Sequence, residues 1–319
     1  MTSFKDVDSC IGLSGPEFHF PIELGKVREF ARALCADHPA YLEGRHPVVP
    51  PTFPVVAGYL WGYMLEDPGD TPIAALEMDR AMSLDGEQEF LYHGPPPRAG
   101  DDLVARTWVD AIWEKSGRRG GTLTFYRMRS DYHDRDGRLV GTNYATSVVP
   151  EGVPDSPAPD IDDSDLPYLA MGERRDQFAA VRQAGWADLV EGEGPGVVTM
   201  PPLTLTDVVR YQVISGSYGA GHHDAVAARA EGFPTWFSVG MLHAGLLGTY
   251  AVNWLGPANV RRFKARFMDM IWPGERLHYS GSVERRYEEG GERRVDIALS
   301  CTRDAGDVVT KGWASFVVP

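Results

Sequence analysis

Two stretches of the chain are apolar on nearly every side, Val55–Glu66 and Val239–Leu255. A helix with no polar face has to be buried, so each is expected to form the centre of a packed unit. A more ordinary amphipathic pattern precedes each one. Glu23–Ala36 has helical spacing and stops before Asp37-His38-Pro39, and Pro50-Pro51-Thr52-Phe53-Pro54 then breaks the chain. Further on, Thr206 is a candidate cap for a helix over Asp207–Ser215, which a Gly-rich loop ends at Gly216. After each apolar helix the period changes from helical to alternating. Runs rich in β-branched and aromatic residues follow, separated by turn clusters such as Ser116–Gly121 and Glu288–Glu292.

The two halves resemble each other. Gly137–Val149 lines up with Gly306–Val318, each a turn followed by an alternating strand, and Ala99-Gly100-Asp101-Asp102-Leu103 lines up with Pro273-Gly274-Glu275-Arg276-Leu277. The chain therefore reads as one domain type in tandem, each half an antiparallel set of about four strands wrapped around a long buried helix. That is an α+β, tandem double hot-dog architecture, whose halves pair sheet edge to sheet edge. Residues 1–150 form the first domain and 197–319 the second. Between them Pro150–Asp165 holds four prolines and six acidic residues, a linker composition, and the linker region runs to residue 196 with room for a short helix.

Charge and cysteine usage narrow the partners. A net charge of −14 argues against nucleic acid or an anionic membrane surface, although arginines cluster locally. The three cysteines, Cys10, Cys35 and Cys301, lack metal or CxxC spacing and read as reduced thiols. No apolar run is long enough to span a bilayer and the start lacks a signal-peptide pattern, so a cytoplasmic protein is expected. Glu191-Gly192-Glu193-Gly194 has no following Lys-Ser/Thr and is not a nucleotide loop, and no cofactor is expected.

The stretch that carries chemistry is Tyr211-Gln212-Val213-Ile214-Ser215-Gly216-Ser217-Tyr218-Gly219-Ala220-Gly221-His222-His223-Asp224. It delivers a histidine just ahead of the second buried helix, which opens at Ser238-Val239-Gly240-Met241. The first N–H groups of such a helix have no internal partners and suit a developing negative oxygen. A histidine facing them would move a proton near neutral pH. For an arbitrary His-His pair the commoner role is to satisfy loop carbonyls, and a metal site would need more ligands than the nearby Asp224. His243 reads as packed structure, and Trp236, Tyr250 and Trp254 as core or tunnel lining. Arg261, Arg262, Lys264 and Arg266 alternate along a strand, so their charges could share one face, either toward phosphates or toward solvent.

These residues resemble the signature of the MaoC-like (R)-specific enoyl-CoA hydratases and 3-hydroxyacyl dehydratases, Ser-Gly-Asp-aromatic-Asn-Pro-apolar-His followed by His-Gly-Met-Leu. Here the pattern is Ser215-Gly216-Ser217-Tyr218-Gly219-Ala220-Gly221-His222 and then Val239-Gly240-Met241-Leu242. Val260–Phe267 and Trp272-Pro273-Gly274-Glu275 are also similar to that family. Pro51-Thr52-Phe53-Pro54 and Arg118–Thr122 resemble its companion dehydratase-type domain. The resemblance implies hydration or dehydration at the 2,3-position of an acyl thioester carried on coenzyme A or acyl carrier protein, and a homodimer or higher homo-oligomer. It implies His222 as acid/base, Gly240 as oxyanion donor, and Ser217 in the place of the catalytic aspartate. Tyr218, Gly219, Val239, Met241, Arg262 and Lys264 would contact substrate. In the first half Ala36 and Tyr41 stand where the acid/base pair would be, which implies a non-catalytic half. A serine cannot act as a carboxylate base. The departure leaves three readings: a hydratase or dehydratase, a cyclase or other conjugate-addition enzyme needing one base, and a non-catalytic subunit.

Overall fold

Phe90 and Phe263, one from each half, face each other across the middle of a single ten-stranded sheet. The computed structural model describes residues 7–62, 64, 72, 74–76, 83–117, 121–151, 158, 171–179 and 181–319. The strands are β1 (Phe18–Pro21), β2 (Leu84–Tyr92), β3 (Asp102–Ser116), β4 (Thr122–His133), β5 (Leu139–Pro150), β6 (Val198–Thr199), β7 (Val260–Phe267), β8 (Leu277–Glu289), β9 (Glu292–Arg303) and β10 (Val308–Val317). The helices are α1 (Val7–Cys10), α2 (Leu24–Ala33), α3 (Pro39–Leu42), α4 (Val55–Leu60), α5 (Met171–Phe178), α6 (Leu205–Ser215), α7 (Ala225–Ala230) and α8 (Gly240–Leu255). Strand order is β1-β3-β4-β5-β2-β7-β10-β9-β8-β6. Each half thus contributes one contiguous block of the sheet, and β2 and β7 join the blocks edge to edge.

That join is an antiparallel pairing running from Glu87↔Arg266 to Leu91↔Arg262. Alternation sends Phe90, Phe263 and Ala265 into the core, all almost completely buried, and puts the charged residues on the opposite face. There Arg262 Nε meets Glu89 at 2.6 Å, Lys264 Nζ meets Glu87 at 2.7 Å, and Arg266 meets Glu87 at 2.7 Å. Half-exposed pairs of this kind contribute at most about 1 kcal/mol each. Their larger effect is on register, since a one-residue slip would set every charge against the apolar face. The alternating pattern leaves Arg262 and Lys264 facing either substrate phosphates or solvent. Instead both are engaged by acidic partners on the face turned away from α8.

The second half matches the expected helix closely. α8 is buried along almost its whole length, with Tyr250, Trp254 and Trp236 in the core. The first half differs. Its apolar helix ends at Leu60 rather than running to Glu66, because Trp61 leaves helical geometry and the Met64 N–H folds back to the Gly58 carbonyl. Two glycines, Gly58 and Gly62, lie in this run and weaken it as a helix. The amphipathic helix of this half runs over Leu24–Ala33, inside the expected Glu23–Ala36. The next helix starts two residues earlier than expected, at Leu205 instead of Asp207. Its cap is Thr204, not Thr206, because Asp207 three residues on completes a capping box with Thr204. The other carboxylate oxygen of Asp207 takes the buried Arg174 of α5 at 2.8 Å, which pins the short helix after the linker onto α6.

Among the described residues no helix is long and apolar enough to cross a membrane. Cutting the chain once within residues 150–165 is expected to leave the fragments together through gel filtration, held by the β2–β7 pairing. Each half expressed alone would expose a long strand edge and aggregate. Two separately soluble, monomeric halves would contradict the continuous sheet.

Candidate active site

The end of α6 sets the geometry. Gly216 closes the helix with φ 82°, and a Cβ there would meet Leu60 Cδ2 at 2.7 Å and Tyr59 Cβ at 2.9 Å. Only glycine tolerates both conditions, so the loop leaves α6 pressed against α4 of the first half. Gln212, on the buried side of α6, then fixes the loop's path. Its amide nitrogen donates to the Ser217 carbonyl at 2.7 Å and to the Gly219 carbonyl at 3.0 Å. With both protons used, its oxygen accepts from His223 Nδ1 at 2.9 Å.

His222 follows in a single 3₁₀ turn, Ala220–His222. Phe237, just before α8, holds it at two points. The Phe237 N–H donates to the Gly221 carbonyl at 3.3 Å, and His222 Nδ1 lies 3.0 Å from the Phe237 carbonyl. A carbonyl only accepts, so Nδ1 carries the proton and Nε2 keeps its lone pair. The Phe237 ring stands edge-on to the imidazole at 4.7 Å. Desolvation lowers the His222 pKa to about 4, with His223 adding to the effect and the Phe237 carbonyl opposing it. His222 is therefore a neutral base at neutral pH, with its tautomer fixed from behind.

The same segment leads into α8. Val239 is the N-cap, with no side chain capping the helix. The Leu242 N–H closes on the Val239 carbonyl at 3.0 Å, while the Gly240 and Met241 N–H groups have no backbone partner among the described residues. A Cβ on Gly240 would lie 3.0 Å from the Phe267 ring of β7, so the helix start is seated directly on that ring. A lone-pair-bearing imidazole and a helix N-terminus with free donors thus share one segment, Phe237–Gly240. Together they can take a proton from one atom while stabilising negative charge on another.

The remaining expected positions divide. Ser217 is buried in the held loop, and Gly219 lies under the His222 ring, where a Cβ would be 3.3 Å from Cδ2. Tyr218 is 52% exposed. Val239 and Met241 are buried in the core. Arg262 and Lys264 lie on the far face of the sheet. Asp224 caps α7 by accepting from the Val226 and Ala227 N–H groups, so His222, His223 and Asp224 have three separate partners. His243 is fully buried, bridging Ser238 Oγ at 2.7 Å and the Tyr279 hydroxyl at 2.9 Å, and desolvation lowers its pKa to about 3. In the first half Tyr41 is buried and its hydroxyl lacks a partner among the described residues, while Ala36 is apolar. Sequence reading passed over Gln212 and Phe237. Gln212 carried one available signal, a polar residue on the inward face of an amphipathic helix.

The fold is that of a double hot-dog protein, two sheets joined edge to edge. The "FAS1-like, dehydratase domain region" pattern matches residues 9–143 and the "MaoC like domain" pattern residues 190–302, so the chain joins a FAS1-like dehydratase region to a MaoC-like domain. Relatives called UPF0336 protein are similar to parts of it. One from Streptomyces griseus is 32% identical over 126 residues, 37% of this chain and 76% of the relative. One from Clavibacter michiganensis is 40% identical over 132 residues, 39% of this chain and 81% of the relative. Among solved structures, a MaoC-like dehydratase superposes with TM-score 0.75 at 19% identity, covering 98% of this chain and all (100%) of the other. A conserved hypothetical protein of Mycobacterium tuberculosis with a double hotdog fold gives 0.59 at 16% identity, over 96% of each chain. At such identities these superpositions speak for the fold.

Two titrations follow. By NMR, His222 should titrate near pH 4, well below an ordinary histidine, with the proton on Nδ1 across the neutral range. His243 bears on stability. Its folded pKa of about 3 lies below the ordinary 6.5, so below pH 6.5 the unfolded chain binds a proton that the folded chain refuses. Its contribution is intact above pH 6.5 and is lost as pH falls toward 3. By pH 5 the loss is about 2 kcal/mol, and urea denaturation of His243→Gln should show a shallower decline from pH 7 to 5 than the parent.

Proposed function

We propose that the protein is an (R)-specific hydratase or dehydratase acting at the 2,3-position of an acyl thioester, carried on coenzyme A or acyl carrier protein. In this reading residues 197–319 form the catalytic domain, 1–150 a non-catalytic partner that shapes the acyl channel, and 151–196 the connection. The observation that carries it is the shared Phe237–Gly240 segment. It holds His222 by Nδ1, with Nε2 as the free base, and presents the unpaired N–H groups of Gly240 and Met241.

In the hydration direction the thioester carbonyl oxygen is bound at the Gly240 N–H. His222 Nε2 removes a proton from water as the water oxygen bonds to C3. Electrons of the C2–C3 double bond move toward the thioester, leaving an enolate whose oxygen the helix donors stabilise. The proton held by His222 is delivered to C2, so the net change is addition of H and OH. Dehydration is the reverse. The depressed basicity of His222 suits a group that must begin neutral and take a proton only as charge develops.

A second reading has one specific support: Ser217, Gly219, Ala220 and Val239 depart from the family pattern together. A site with one base fits addition of a substrate's own hydroxyl to the double bond, giving a ring.

Adding the protein to a trans-2-enoyl thioester should bleach the conjugated absorbance and yield the (R)-3-hydroxy product. His222→Ala should cut kcat roughly 10²–10⁴-fold with the fold retained by circular dichroism. Retained activity in that variant would remove His222 from the mechanism. Offering an enoyl thioester with a distal hydroxyl separates the two readings, since a cyclic product favours the second.

A further inference from the structure

Asp85 lies where an uninterrupted strand would not put it. Along β2 the buried, inward positions are Gln88, Phe90 and Tyr92, and the outward ones carry Glu87 and Glu89. Simple alternation would send Gly86 inward and Asp85 outward. The β2–β5 register instead slips at this point: Glu87 pairs with Thr146 and Asp85 with Ser147, leaving Gly86 as the extra residue of a bulge. Gln88↔Ala145 and Asp85↔Ser147 are then successive inward steps, so the carboxyl is turned onto the face covered by the helices. Gly86 suits the bulge, because a Cβ there would approach the Thr146 carbonyl oxygen to 3.2 Å.

Two packing relations and one electrostatic one link this end of β2 to the residues around the site. Leu84 packs on the cluster containing Phe237, the residue that fixes His222. Glu87 pairs with Arg266, so the neighbouring Phe267, on whose ring Gly240 sits, flanks the bulge. Tyr211, one residue before Gln212 on α6, has its phenol within electrostatic reach of the Asp85 carboxylate and of Tyr59. The Tyr211 hydroxyl is completely buried and has no hydrogen-bond partner among the described residues. A buried hydroxyl left in this state is costly unless something it binds arrives from outside. Burial raises the Asp85 pKa to about 6, against a hydrogen bond from Gln88 that lowers it.

We infer that Asp85, supplied by the first half, is the carboxylate of the His222 site, with the unpartnered Tyr211 hydroxyl beside it as a second polar group for what binds there. This rests on the hydration reading above. The water that adds to C3 gives one proton to His222 Nε2 and directs its other O–H to Asp85. The carboxylate stabilises the imidazolium as it forms, and that proton then passes to C2. Ser217 is free to be a serine because the charge arrives from the other half.

The test is steady-state hydration of a trans-2-enoyl thioester by the full chain and its variants, with melting curves as the folding control. Asp85→Asn should lower kcat at least 10²-fold with KM nearly unchanged. Ser217→Asp should recover at least 10-fold of that loss in the Asp85→Asn background, yet raise nothing in the parent, where two carboxylates would compete. Tyr211→Phe removes an oxygen with no partner to lose, so it should lower kcat without lowering the melting temperature, and it carries the test if Asp85→Asn does not fold. Activity that depends on His222 but survives both Asp85→Asn and Tyr211→Phe overturns this inference alone. A parent protein that hydrates no enoyl thioester overturns the hydration reading and this inference with it.

Discussion

The pairing of β2 with β7 is the contact on which the rest of the molecule depends. It converts two sheets with open edges into one, and backbone hydrogen bonding leaves little freedom in how the halves meet. The apolar Phe90–Phe263 pair on one face and the Glu87, Glu89, Arg262, Lys264 and Arg266 network on the other select the same register. Once that register is set, α4 of the first half falls against Gly216 of the second, and the bulge at Gly86 lies beside Phe267, the ring on which Gly240 sits. Neither half could assemble this environment alone.

Electrostatics within the site follow from burial and from backbone geometry more than from formal charge. His222 is held by a carbonyl on one nitrogen and shielded by the Phe237 ring, so its neutral form is favoured and only Nε2 is left to act. The donors at the start of α8 supply partial positive charge without a cation, which favours negative charge placed there. Gln212 contributes no charge. By spending both amide protons on the Ser217 and Gly219 carbonyls it turns a glycine-rich segment into a defined one.

The halves have diverged along physical lines. In the second, an uninterrupted apolar helix fills the sheet's concave face. In the first, Gly58 and Gly62 interrupt the corresponding run, α4 is short, and Tyr41 sits buried with the His38 ring edge-on at 6.4 Å. The first half supplies a strand edge and the residues that this edge carries inward.

Much of this was legible from periodicity and motif alone. The apolar run Val239–Leu255, the alternating strands, the internal repeat and the His222 loop each rest on local pattern, which survives in a one-dimensional reading because neighbours in sequence decide it. Local competition blurs some edges: the apolar run after Val55 reads as helix to Glu66 but ends at Leu60, and Thr206 reads as a cap although Asp207 completes a box with Thr204. What the sequence could not decide was which charges would find one another. Arg262 and Lys264 have the spacing of an anion-binding face, yet their partners Glu87 and Glu89 lie far away in the chain and meet them only through the sheet. Asp85 shows the same limit in reverse: alternation places it outward, and a single extra residue, forced by pairing with β5, turns it in. Side-chain direction in a strand has a period of two, so one bulge reverses it, and a bulge is a property of two strands rather than of one.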